Sequence, residues 1–215
     1  LTTSGALTIA NLDIGSTSTQ TFVGLGTSGT TTTTLNIGTG ANGVVINNTG
    51  LGMVFTGSHG TVNVGTAGTG LQIASRGTAV TFASDSTGTF ALGHAGATSA
   101  LTATPAAGPA FGIAYAGSDA VVTATNIDIN GTGSDAGAHG IFIQDDDGVG
   151  SFTLTGTNTI DATGGDGVFI QNANATISGL TLGASSQISG GGIRIANSNA
   201  IANTVSLSDI TMGSG

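Results

Sequence analysis

The sequence predicts an all-β fold: a single-stranded, three-sided parallel β-helix, or solenoid, with about 25–28 residues per coil. Two observations support this prediction. Apolar-x-apolar triplets recur every nine residues from Leu35 to Phe82, and once more, one residue late, at Phe90 and Leu92. In the second half of the chain a glycine followed by such a triplet recurs at nearly equal intervals, at Gly112, Gly140, Gly167 and Gly192. Three nine-residue units match one interval, so each coil should contain three short strands.

Each triplet predicts a short strand whose two large side chains point to the same face. Small polar residues separate the triplets and are typical of turns. A unit of this size buries its apolar face only by stacking on its neighbours. We therefore expect a continuous core ladder formed by Ile46, Ile73, Ile113, Ile141, Ile143, Val168, Ile170, Ile193 and Ile195.

The spacing of the triplets also divides the chain. Residues 1–34 contain triplets at uneven intervals, which predicts an irregular N-terminal β segment or a first coil. Residues 35–215 are predicted to form the parallel β-helix. Both prolines fall between residues 93 and 111, amid alanine and glycine. Because proline has no N–H to donate to a strand ladder, we expect a loop at about 93–111.

Charge and composition exclude several classes of function. The 215 residues include two arginines and no lysine, and the net charge is -9. This excludes the basic surface that binds phosphate backbones, so we expect no nucleic-acid partner. There is no cysteine for disulfides or metal ligation. No apolar run reaches the ~20 residues of a membrane span, so we expect no membrane insertion of this segment. The absence of an initial methionine leads us to expect a piece of a longer protein.

The segment 167–182, GVFIQNANATISGLTL, resembles the right-handed parallel β-helix repeats of bacterial surface proteins. The likeness is to autotransporter-type passengers and β-strand-repeat adhesins. It implies an exported, elongated, non-enzymatic stalk, adhesin or filament on the cell surface. The partners it implies are further copies or flanking coils, stacked end to end, and host or surface glycans. The rule for parallel crossovers predicts the same right-handed coil.

The densest charge in the chain is the run Asp145, Asp146 and Asp147. Adjacent carboxylates repel each other, and a hard cation such as Ca²⁺ would relieve that repulsion with oxygen ligands. We therefore consider a calcium site in this turn, joined by Asp119 or Asp166 from neighbouring coils. The alternative is a solvated acidic turn that keeps the protein soluble. No other cofactor is required by the sequence.

The same aspartates raise an enzymatic alternative. His139, the aspartate run and Arg194 are loosely similar to the sites of polygalacturonase-type β-helix glycosidases, which use paired aspartates for acid–base catalysis. In this chain His139 precedes the aspartates instead of following them, and Arg194 alone replaces the basic pair. We therefore predict that the chain is not an enzyme. The alternative is a polysaccharide-binding or polysaccharide-cleaving β-helix that uses the Asp-rich face.

Overall fold

The structure is a computed structural model that describes residues 34–47, 52–103, 108–133, 135–145, 147–161, 164–183, 192–198 and 200–212. It also describes the backbone of three earlier strands, at 7–9, 12–15 and 23–27. Within these ranges the fold is all-β, without a helix, as the sequence predicts. From Thr34 onward, seventeen strands stack as a parallel β-solenoid of about six turns.

The strands follow the chain in short steps. They are β1 (Leu7–Ile9), β2 (Leu12–Gly15), β3 (Val23–Thr27), β4 (Thr34–Ile37), β5 (Val44–Asn47), β6 (Met53–Val64), β7 (Leu71–Ser75), β8 (Val80–Phe82), β9 (Thr87–Leu92), β10 (Ser99–Ala103), β11 (Ile113–Ala116), β12 (Asp119–Thr125), β13 (Ile127–Asn130), β14 (Ile141–Gln144), β15 (Ser151–Thr155), β16 (Asn158–Asp161), β17 (Val168–Gln171), β18 (Ala175–Leu182), β19 (Ile193–Ala196) and β20 (Val205–Met212). The three longest, β6, β18 and β20, each bend around a corner and contribute to two faces.

Parallel pairing sorts the strands into three faces. The first face stacks β1, β4, the end of β6, β9, β12, β15 and the starts of β18 and β20. The second stacks β2, β5, β7, β10, β13, β16 and the ends of β18 and β20. The third stacks β3, the start of β6, β8, β11, β14, β17 and β19. The solenoid is therefore three-sided.

Coil length varies more than the nearly constant spacing of the triplets predicts. On the second face Ile160 pairs with Leu182, which closes a short coil. On the third face Val80 pairs with Ile113, which closes a much longer one. The strands keep their register because the corners and loops between them take up the difference in length. The triplets therefore predict the positions of the strands. The spacing between triplets predicts the length of each coil only approximately.

The core lies inside the three faces and is built from the inward residues of the triplets. Of the predicted ladder, the residues from Ile46 to Ile170 are at most 2% exposed. Ile113, Ile141, Val168 and Ile193 are stacked in one register on the third face. Ile193 is only partly buried and Ile195 is 45% exposed, because no described strand covers β19. The ladder thus continues to the last coil, where it becomes accessible.

The structure adds detail to two of the predicted segments. β1, β2 and β3 pair with β4, β5 and β6, so part of residues 1–34 continues the three stacks. Inside the predicted loop at 93–111, Ser99–Ala103 forms β10 and buries Leu101 completely. The triplet pattern did not predict this strand, because the strand contains one large apolar residue instead of two. Pro105 lies outside the described residues.

Candidate functional site

The last described coil leaves the apolar interior of the solenoid open. Leu207 is 44% exposed and Met212 is 59% exposed. Their pairing partners one coil earlier, Ile177 and Leu182, are both buried. In the described part of the chain, β19 and β20 pair on one side only. Their other edge presents unpaired N–H and C=O groups, which favour addition of another strand. We call this surface, formed by β19 and β20, the open end.

Among the described residues, Asp145 and Asp147 of the predicted run form an acidic cluster with Asp119. Oxygen atoms of Asp119, Asp145 and Asp147 lie within 4.8 Å of one another. Asp119 comes from β12, one coil before the other two, as one of the two sequence alternatives proposed. Asp166, the other alternative, lies in a different cluster. Asp146 is outside the described residues.

Asp145 organises the turn that carries this cluster. It is 1% exposed, and its two oxygens accept backbone hydrogen bonds from the N–H groups of Asp147 (3.3 Å) and Gly150 (3.1 Å). Burial raises the pKa of the Asp145 carboxyl, and the neighbouring Asp147 charge adds to the increase. A bound cation would act in the opposite direction by stabilising the ionised carboxylate. The cluster therefore combines the buried carboxylate of Asp145 with the exposed carboxylate of Asp147.

A second polar cluster links three successive coils on the third face. Asp166 is buried and accepts a hydrogen bond of 2.6 Å from Arg194 Nε in the next coil. Its backbone N–H donates to His139 Nδ1 in the preceding coil, at 2.9 Å. Nδ1 is therefore the unprotonated nitrogen of the His139 ring. Together these bonds fix the register of three coils at one edge of the face.

An aromatic column runs beside this cluster on the outside of the third face. The rings of Phe111 and Phe142 stack with centroids 5.3 Å apart, and Phe169 follows at 5.6 Å. Arg194 Cζ lies 3.5 Å from the Phe169 centroid and covers its outer face. Each ring therefore hides part of the surface of the next. This packing stabilises the coils, at about 0.5–1.5 kcal/mol per ring pair.

Acidification is expected to weaken the His139 cluster. Burial lowers the pKa of His139; Asp166 opposes that effect and Arg194 reinforces it. Because the folded pKa lies below the ordinary value of 6.5, the unfolded chain binds more protons between the two values. The stability contributed by neutral His139 is thus complete above pH 6.5 and is lost as the pH falls through the folded pKa. Protonation of Nδ1 also breaks its bond with the Asp166 N–H.

This pH dependence is measurable as the melting temperature between pH 7.5 and 4.5, a range of about three units around the unperturbed histidine value. The His139→Gln variant should show a flatter profile than the wild type. The His94→Gln variant controls for the loss of a histidine side chain, because His94 lies in a separate turn outside the cluster. Equal profiles for wild type and His139→Gln would contradict the assignment.

The sequence found some of these residues and missed others. It identified Asp145, Asp147, Asp119, His139 and Arg194 as the charged or titratable candidates. It missed the pairing of Asp166 with His139 and Arg194, although these residues are 27 and 28 positions away, one coil each. It also missed the column of Phe111, Phe142 and Phe169, because the apolar alternation does not indicate which side chains contact each other on the outside of the solenoid.

No protein-family model matches the chain, and neither a curated protein nor a solved structure matches it. In the described residues there is also no helix long and apolar enough to cross a membrane. The class that the fold defines is therefore the parallel β-solenoid. The likeness to bacterial surface proteins depends on the sequence pattern alone.

Proposed function

We propose that the chain is a non-enzymatic structural module, a rigid segment of a bacterial surface stalk, adhesin or self-assembling filament outside the cell. The observation that carries this proposal is the open end, where apolar residues of the core columns are accessible and, among the described residues, each strand pairs on one side only. Its partners are copies of the same chain or flanking coils of the same kind. Surface glycans would contact the flanks of the rod.

Three properties support a mechanical role. Each coil is held by parallel backbone pairing on three faces and by a continuous apolar core, so the rod resists bending in every direction. The His139–Asp166–Arg194 cluster and the aromatic column add contacts between coils on the outside. The low content of charged residues, 6%, leaves long flanks of Thr, Ser, Ala and Gly. Regular coils of this type extend by adding more coils.

Substitution at the open end tests the proposal. Leu207→Lys places a charge where a stacking coil would bury an apolar side chain. Removing that burial alone costs about 1.5–3 kcal/mol, which corresponds to association roughly tenfold to a hundredfold weaker. We expect the wild type to form rods or fibres by electron microscopy and large species by sedimentation, and Leu207→Lys to remain monomeric.

The matched control is Val121→Lys. Val121 is 45% exposed, close to the 44% of Leu207, but it lies on the flank of β12 away from the open end. This variant should assemble like the wild type. A wild type that stays monomeric at its highest soluble concentration would contradict self-assembly, as would an equal loss of assembly in the two variants.

Calcium binding is a separate part of the proposal. The close approach of Asp119, Asp145 and Asp147 supports it, since Ca²⁺ binds carboxylate oxygens. At a Ca²⁺ concentration of 100 times Kd the folded state would gain about 2.7 kcal/mol. For a chain of this size, that gain raises the melting temperature by roughly 5–10 °C. Asp147→Asn should abolish the increase, whereas Asp128→Asn, outside the cluster, should retain it. Equal melting temperatures in Ca²⁺ and in a chelator would refute calcium binding.

The polysaccharide alternative depends on the same aspartates. Acid–base hydrolysis needs two carboxyl groups that both reach the substrate, one of them with a raised pKa. Asp145 has the raised pKa, but it is buried and bonded to backbone N–H groups through both oxygens. This geometry favours the structural proposal. Turnover of an acidic or neutral polysaccharide that is lost in Asp147→Asn would establish the alternative instead.

A further inference from the structure

The open end has a counterpart in the same chain. We propose that β20 of one copy pairs with β1 and β2 of a second copy, so that copies stack head to tail in a single register. This inference depends on the proposed structural function and names the partner and the contact. The proposed contact involves the first and second faces. On the third face the last described strand, β19, lies one coil lower than β20 along the axis of the solenoid.

The argument begins with a recurring corner between the first and second faces. In this tight corner two apolar pairs are separated by two residues, and the residue before the second pair has a left-handed backbone. That residue is Asn126 (φ 52°), Gly179 (φ 60°) or Asp209 (φ 54°). Glycine, asparagine and aspartate are the residue types that adopt this conformation most readily. The tight corner occurs at residues 122–129 (VTATNIDI), 175–182 (ATISGLTL) and 205–212 (VSLSDITM).

Residues 7–14, LTIANLDI, have the same pattern. Their apolar residues fall at Leu7 and Ile9 and at Leu12 and Ile14, and in the sequence Asn11 occupies the position of Asn126 and Asp209. β1 and β2 lie on either side of this position and belong to the first and second faces. The segment therefore has the sequence of the corner found at the open end.

Two coils whose corners have the same length can pair along the strands on both sides of the corner. The segments 175–182 and 205–212 pair on both sides of their corner, from Ala175 with Val205 to Leu182 with Met212, without a change of register. The wider corner of coil 34–47 has a loop of six residues between Ile37 and Val44, outside any strand. A coil with such a loop would pair with β20 along its strands but not around its corner. Two residues separate Ile9 from Leu12, as two separate Leu207 from Ile210, so β1 and β2 would both pair with β20 in one register.

The expected register follows from the equal spacing of the apolar pairs in the two sequences. Leu7 lies opposite Val205, Thr8 opposite Ser206, and Leu12 opposite Ile210. Adjacent strands in this arrangement are about 4.8 Å apart. In the described part of the chain β1 and β2 pair on one side only, with β4 and β5. Stacking would bury Leu207 and Met212, which are the largest exposed apolar side chains of β20.

Disulfide trapping tests this register, because the chain has no cysteine of its own. The probe is the double variant Thr8→Cys with Ser206→Cys, oxidised under conditions in which the protein assembles. Neighbouring strands place the two Cα atoms within the range that a disulfide spans. Each copy has one cysteine at each end, so we expect a covalent ladder of dimers, trimers and larger species on a denaturing gel.

Two controls make the result specific. The off-register pair Thr8→Cys with Thr211→Cys should give at least tenfold less ladder, and Ser206→Cys alone should give little covalent dimer. Efficient dimers from Ser206→Cys alone would mean that two open ends meet, which overturns the head-to-tail inference but leaves self-assembly intact. Fibres by microscopy with no ladder would likewise overturn the register alone. Absence of both fibres and ladder would overturn the inference together with the proposed function.

Discussion

Replacing Phe82 with alanine is expected to lower the free energy of unfolding by about 3–5 kcal/mol, the range for phenylalanine truncation in a packed core. Phe82 is completely buried and contacts two other core rings. Its ring stacks on Phe55 at 5.1 Å and meets Phe90 edge to face at 5.0 Å. These three residues come from two coils and two faces, so the cavity would open where coils and faces meet.

Thermal denaturation followed by circular dichroism measures this effect. For a protein of this size the loss corresponds to a decrease in melting temperature of roughly 6–20 °C. Phe142→Ala is the matched control, because Phe142 has the same side chain but is only half-buried in the aromatic column outside the third face. It should lose less than half as much stability. Equal losses would mean that the internal aromatic cluster has no special role in the core.

The triplets predicted the interior because burial of alternate residues leaves a period-two pattern in the sequence. Ile141 and Ile143 illustrate this, since both are completely buried. What the pattern does not encode is the outside of the rod. There, small and polar residues satisfy the same alternation whether or not they contact each other.

The register between coils, which determines the residues that lie opposite each other in successive coils, was the main feature that the sequence did not predict. Thr123, Thr153 and Thr176 form one column on the first face, although unequal lengths of chain separate them. The glycine-led triplets of the third face keep a more even interval, and this even interval is why the coil length looked nearly constant. Corners of different length shift the other two faces relative to the third. Corner type is therefore the additional information needed to place a residue, and it is the basis of the head-to-tail inference.

The acidic cluster shows that the members of a site, too, cannot be predicted without the register between coils. The sequence placed Asp145 and Asp147 together because they are neighbours in the chain. It left Asp119 and Asp166 as alternatives, since both were about one coil away. The structure places Asp119 with the cluster and gives Asp166 to His139 and Arg194. Only the register distinguishes a carboxylate that joins the acidic cluster from one that is neutralised by arginine.

Gly150→Ala is expected to destabilise the protein by about 2–6 kcal/mol, through a clash with a buried tyrosine. A Cβ at Gly150 would overlap the Tyr115 hydroxyl and the Ser118 carbonyl oxygen. Tyr115 is completely buried, and its hydroxyl lies within hydrogen-bonding distance of the carbonyl oxygens of Ser118 and Ala120, between which its one proton is shared. Overpacking of this kind costs about 1–3 kcal/mol, and the unsatisfied polar groups it creates cost about 1–3 kcal/mol more.

A double-mutant cycle isolates the cause. Tyr115→Phe removes the hydroxyl that a Cβ at Gly150 would meet, so Gly150→Ala should cost less in that background than in the wild type. Gly192→Ala is the control for loss of a glycine, because a Cβ there has no atom within 4 Å, and it should be nearly neutral. If Gly150→Ala were as mild as Gly192→Ala, the turn carrying Asp145 would be able to move away from Tyr115. The acidic cluster would then lack the fixed geometry that selective binding of a cation requires.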